Sequence, residues 1–231
     1  DYIAEVRMDA EFSKSVVDFQ TIRHFSPQLE DNRLVIDVKS GKFGGTVDDF
    51  TVSDMLVSSR SGGFEGSISG RMTGIPEIED TRIDARIQNF TITSSGLSHF
   101  VTQWMRDGSL DLGKFAPGTA FNINAHAKGL LNRLDIDADI RSAIGKVNGD
   151  IRLEDIITEG TQIGISGKVS TVDLNVGKVI GQKIIGETSM RATVAAKLGN
   201  DKAPLSAAID SLAISKLHIH EHNNHLDITA Q

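Results

Sequence analysis

The 231-residue chain has no cysteine, so it can carry neither a disulfide frame nor thiol chemistry. It has one tryptophan and one tyrosine, which makes a weak case for the aromatic platform of a glycan-binding surface. No window approaches ~18 uninterrupted apolar residues, so nothing crosses a bilayer as a helix. Basic residues never cluster and the net charge is -7, which argues against nucleic acid as the main partner. No signal peptide is visible. The chain opens at Asp1 in what reads as a strand, and we take it as a fragment of a longer protein, with targeting information expected outside it.

What is present is alternation. Tyr2, Ala4, Val6, Met8, Ala10 and Phe12 fall on one face, while Asp1, Glu5, Arg7, Asp9 and Glu11 fall on the other. The same period of two recurs in Leu34-Ile36-Val38, Ile83-Ala85-Ile87, Ile123-Ala125-Ala127, Leu134-Ile136-Ala138-Ile140, Leu205-Ala207-Ile209 and Leu226-Ile228-Ala230. Strands with one apolar and one polar face suit an antiparallel sheet. Roughly 14 of them are expected, at intervals of ~8–12 residues.

Three places break the period. Ser94-Ser95-Gly96 leads into Leu97, Phe100, Val101, Trp104 and Met105 with Gly108 behind, the spacing of a short amphipathic helix expected over 96–106. Its apolar side is expected to plug an end or flank of the sheet. Asp18, Phe19, Ile22 and Phe25 before Pro27 suggest a second helix, and Asp173-Leu174 through Val176, Val179 and Ile180 a third. These breaks, with Gly-Thr signals at Gly45-Thr46, Gly118-Thr119 and Gly186-Glu187-Thr188, suggest one β-repeat segment over 1–231. Its pseudo-repeats run roughly 18–94, 95–172 and 173–231.

The stretch "VDLNVGKVIGQKIIGETSMRATV" (172–194) superficially suggests a phosphate loop. A phosphate loop needs Lys and then Ser or Thr directly after its second glycine. Here Lys178 follows the first glycine, Gly177, and Gly181 is followed by Gln182. The glycines are therefore expected to serve turns, bulges and bends of the sheet.

Candidates for chemistry are few. In "HIHEHNNH" (218–225), His218, His220 and His222 share a strand face and form a weak metal-ligand set without a clear fourth ligand. Asp135, Asp137 and Asp139 also share a face, but no glycine turn folds them around a cation, so they read as a solvated outer face. Neither a Ser-His-Asp arrangement nor paired acids in a cleft can be argued from spacing. The expectation is a non-enzymatic chain with no cofactor.

Three segments carry a resemblance. "SGRMTGIPEIEDTRIDARIQNFTITSSGLSHF" (69–100), "LDLGKFAPGTAFNINAHAKGLLNRLDIDADIRSAIGKVNGDIRLED" (110–155) and "ISGKVSTVDLNVGKVIG" (165–181) resemble parts of the TamB-like proteins of the AsmA-like superfamily. The likeness extends over roughly residues 15–231 and rests on structural punctuation. It includes a Gly-[Ile/Leu]-Pro followed by an acid and a Thr, a Thr-Ser helix entry, a Leu-Gly-Lys step and a Gly-x-x-x-Gly-Asp strand start.

The resemblance implies an all-β fold: an elongated, curved antiparallel sheet, a half-pipe or taco, with an apolar inner face and a few short helices. It implies a periplasmic protein, anchored in the inner membrane by a segment not present here. Such proteins carry phospholipid towards the outer membrane and act there with a β-barrel assembly protein, through regions outside this fragment. The groove positions expected from alternation are Ala4, Val6, Met8, Leu34, Ile36, Val38, Leu134, Ile136, Met190, Val194 and Leu198. The alternative is a structural or adhesive β-repeat domain with a closed core that binds protein or glycan.

Overall fold

In a computed structural model, the protein is described over residues 2–18, 20, 34–60, 63–75, 77–104, 119–158, 162–180, 184–197, 206–221 and 224–229. It is nearly all β. Twelve strands are described, against the roughly 14 expected, and their order in the sheet is the chain order. Each strand pair with a described register is antiparallel. Contacts divide the chain into two compact units, Asp1–Asn124 and Ala125–Gln231.

The first unit holds helix α1 (Tyr2–Glu5) and strands β1 (Met8–Asp18), β2 (Val35–Gly45), β3 (Asp49–Ser59), β4 (Phe64–Thr73) and β5 (Arg82–Thr93). Helix α2 (Ser94–Trp104) and the first half of β6 (Ala120–Leu130) complete it. The second unit has the rest of β6, then β7 (Arg133–Ser142), β8 (Gly145–Glu154), β9 (Gly164–Asn175), helix α3 (Val176–Ile180), β10 (Ile185–Lys197), β11 (Ser206–Glu221) and β12 (Asn224–Thr229).

The opening alternation is corrected at its start. Tyr2–Glu5 is helical and the strand begins only at Met8. Met8 pairs with Gly45, the last residue of β2, after which the chain turns with Thr46 N–H donating to Asp49 O at 2.8 Å. Residues before Met8 thus have no β2 residue opposite them, and alternation without a partner does not make a strand. Ala4 and Val6 are exposed and lie off the sheet.

Helix α2 forms where expected. Thr93 Oγ1 accepts from Gly96 N–H at 3.1 Å, the N-cap geometry that satisfies a first-turn donor. Gly96 lies against Gly63, between β3 and β4; a Cβ on Gly96 would run into the carbonyl oxygen of Gly63. The helix start therefore seats on the end of the sheet. Helix α3 is shorter than expected, because Asp173 and Leu174 belong to β9 and the turn starts at Val176. Asn175 Oδ1 caps it by accepting from Lys178 N–H at 3.0 Å. A single turn of this kind does not present the N–H cradle of a phosphate loop. The helix expected near residue 19 falls, Gln20 apart, outside the described residues.

Among the described residues, buried apolar side chains are few: Leu34, Val38, Val57, Phe64, Ile92 and Phe121 in the first unit, Ile144 and Ala192 in the second. In the first unit, Ile92, Phe64 and the half-buried Ile36 line the end of the sheet where α2 begins. Elsewhere most of the described apolar face is only half-buried.

Candidate functional site

Residues directly opposite in an antiparallel pair share a face, so the registers show how each apolar set lines up. In the first unit, Ala10 stands opposite Phe43, Phe43 opposite Val52, Val52 opposite Gly70 and Gly70 opposite Ala85. A parallel row runs Met8, Gly45, Phe50, Met72 and Ile83. The Phe43 and Phe50 rings stack at 5.2 Å, and Phe64 and Phe90 at 5.5 Å.

In the second unit four rows cross five strands without a break. Leu134, Leu153, Ile165, Ala196 and Ala207 form one, and Ile136, Ile151, Gly167, Val194 and Ile209 the next. Ala138, Gly149, Val169, Ala192 and Leu212 follow, then Ile140, Val147, Thr171, Met190 and Ile214. Along these rows the exposure climbs at β11, where Ile209 is 62%, Leu212 50% and Ile214 41% exposed.

Of the eleven positions singled out from the sequence, the structure brings Leu134, Ile136, Met190 and Val194 onto this one face of the second unit. In the first unit, Met8, Ile36 and Val38 lie on the face that carries Phe43 and Val57. Leu34 precedes β2 and is buried at its start. Leu198 lies outside the described residues. Alternation missed Phe43, Val52, Met55 and Phe90, because bulges shift the phase of the strands that carry them or face them.

The bulges form a repeated device. Asp54, Asn89 and Asp173 each take a left-handed conformation, with φ of 48°, 49° and 48°. Each extra residue leaves an N–H with no place in the ladder, and a side chain from the next strand accepts it. The acceptors are Ser69 Oγ at 2.9 Å, Asn124 Oδ1 at 2.9 Å and Ser189 Oγ at 3.0 Å. The residue after each bulge, Met55, Phe90 or Leu174, then lies across a glycine of the preceding strand: Gly41, Gly66 or Gly145. Such bulges bend a strand and raise its twist. This is the work the scattered glycines do, and its signal in the sequence is a turn-type residue before an apolar one inside a strand.

The opposite face is polar and carries exposed ion pairs. Arg71 Nε donates to Asp49 Oδ1 at 2.7 Å and its Nη2 to Oδ2, a two-pronged pair. Arg152 Nε donates to Asp135 Oδ1 at 2.7 Å, and Lys216 Nζ to Asp173 Oδ1 at 2.7 Å and Glu187 Oε2 at 3.2 Å. The hydrogen bonds from Arg71, Arg152 and Lys216 hold the carboxyls of Asp49, Asp135 and Asp173 below their ordinary range. Asp139 pairs with Arg141 at 2.6 Å, and Asp137 stands opposite Asp150. The three aspartates of β7 thus lie along a solvated strand face and do not converge.

A hollow of about 590 Å³ is bordered on this side by Asp137, Asp150, Lys168 and Thr193 in one row and Asn148, Ser170 and Arg191 in the next. Among the described residues no group of three or more His, Asp or Glu is placed to hold a metal. His218 lies half-buried on β11. The side chain of His220, and His222 altogether, fall outside the described residues. Among the described residues no helix is long and apolar enough to cross a membrane. No family model, curated protein or solved structure matches the chain.

Proposed function

We propose that this chain is a non-enzymatic segment of a periplasmic protein that carries phospholipid along its apolar face, between the inner and outer membranes of a two-membrane bacterium. In this reading the intact protein is anchored in the inner membrane and supports outer-membrane biogenesis, meeting a β-barrel assembly protein through regions outside residues 1–231. The supporting observation is the set of largely apolar rows across β7 to β11, mostly half-buried on β7 to β10 and exposed at Ile209, Leu212 and Ile214 on β11.

Moving a phospholipid through water exposes two acyl chains at about 0.8 kcal/mol per CH₂, on the order of 20 kcal/mol for ~28 methylenes. A continuous apolar wall offsets that cost at every position along the path, which a single deep pocket cannot do. The wall is aliphatic and uncharged, so it holds acyl chains without directional bonds and lets them slide. The polar side keeps the sheet in water.

Native mass spectrometry with lipid extraction, on protein purified from a bacterial periplasm without detergent, tests the reading. The expected result is near-stoichiometric co-purified phospholipid. Lipid-free protein that also fails to take up phospholipid from vesicles overturns it.

A further inference from the structure

The polar side of the second unit holds charges that the sheet does not pair off. Asp137 and Asp150 stand directly opposite each other on β7 and β8, and like charges so placed repel. Neither forms a salt bridge among the described residues; Arg152, two residues from Asp150 on the same face, is engaged by Asp135 instead. Lys168 on β9 and Arg191 on β10 sit diagonally, Lys168 opposite Thr193 and Arg191 opposite Ser170. Among the described residues neither makes an ion pair or a side-chain hydrogen bond. Two unrelieved pairs, one acidic and one basic, thus lie side by side.

All four border the hollow of about 590 Å³, a volume within the range of small-molecule sites. Its floor is strand backbone at Gly149, Val169 and Ala192, and the side chains of two neighbouring rows are its walls, so it runs across the strands. From between β7 and β8 to between β9 and β10 is two strand spacings, ~10 Å. A lone anion here is repelled by Asp150 and a lone cation by Lys168, so the hollow favours a ligand that carries both signs. An extended peptide advances ~3.3–3.6 Å per residue, so about three residues set an ammonium and a carboxylate that far apart.

We propose that this hollow binds a short linear peptide of about three residues with both ends free. Its ammonium sits between Asp137 and Asp150, and its carboxylate between Lys168 and Arg191, whose guanidinium can take it by two parallel bonds. The Asn148 amide and the Ser170 and Thr193 hydroxyls border the path between and can bond its peptide groups. Closing Asp150 onto Lys168 at so exposed a place gains little and leaves Asp137 and Arg191 unmatched; one bound zwitterion matches all four. The inference rests on charge placement and spacing on the polar side, and stands apart from the lipid reading.

Amide NMR titration of the chain with triglycine at low salt tests this. Saturable shifts are expected at Asn148–Asp150, Lys168–Ser170 and Arg191–Thr193, with a Kd on the order of 1 mM or tighter. N-acetyl-triglycine and triglycine amide, each lacking one charge, should bind about fivefold or more weakly. Lys168→Gln with Arg191→Gln should weaken triglycine by a similar factor while leaving the N-acetyl form's discrimination against the amide abolished. All four charged side chains are exposed, so these variants keep the fold, which unchanged shifts elsewhere verify. Blocked peptides that bind as well as triglycine, affinity unchanged in the double variant, or no saturable shifts at these strands each overturn the proposal.

Discussion

Phe90 lies across Gly66: a Cβ built on the glycine would stand 2.5 Å from the Cα of Phe90 and 2.5 Å from its Cδ2. The contact is with backbone as well as ring, so a rotamer change cannot relieve it. Gly66→Ala should therefore destabilise the first unit by about 1–3 kcal/mol. Urea unfolding with an unchanged m-value checks this; an unaltered midpoint would mean the strands are farther apart than described.

The bulge acceptors should matter less, because each is exposed and water can replace it. Ser69→Ala, which leaves Asp54 N–H without its partner, should cost about 0.5–1 kcal/mol. Faster hydrogen exchange at Asp54 with little change at Val57 would mark the effect as local. Ser189→Ala should do the same at Asp173.

On the apolar face, Val194→Asp sets a carboxylate opposite Gly167 and Ile209. With Ile209 largely exposed, the fold should survive while phospholipid uptake falls by about tenfold, read by photo-crosslinking of a labelled lipid. If the variant unfolds instead, Val194 belongs to a closed core and the lipid path loses its support.

The ion pairs set a direction with pH. Asp49, Asp135 and Asp173 have carboxyls depressed in the folded state by Arg71, Arg152 and Lys216. Their stabilisation is present above the ordinary aspartate value and is lost as pH falls through the lowered ones. Lys216 is raised by the same contacts, so its share is present below the ordinary lysine value and is lost as pH rises through the raised one. Stability should be flat near neutrality and fall only at acid and alkaline extremes. In Arg71→Gln, NMR titration should move the Asp49 carboxyl up towards its ordinary value.

Much of the fold was legible in the sequence because its signals are local. The period of two in Leu134-Ile136-Ala138-Ile140 marks β7 and its apolar side, and the serine-glycine entry before Leu97 marks α2. The apolar face as a set of residues follows from the same period. Where a left-handed residue interrupts a strand, local counting fails: after Ile83, Ala85 and Ile87 it assigns Asn89 to the apolar face, and the structure assigns Phe90.

What the sequence by itself determined is an all-β chain with one apolar and one polar side to its strands. It could not determine where a strand finds a partner. Ala4 and Val6 alternate as well as Met8 and Ala10 do, yet only the latter pair lies opposite β2. Alternation is a property of one segment, set by backbone geometry. Pairing and bulge position depend on segments far apart in the chain, and the tertiary structure alone decided them.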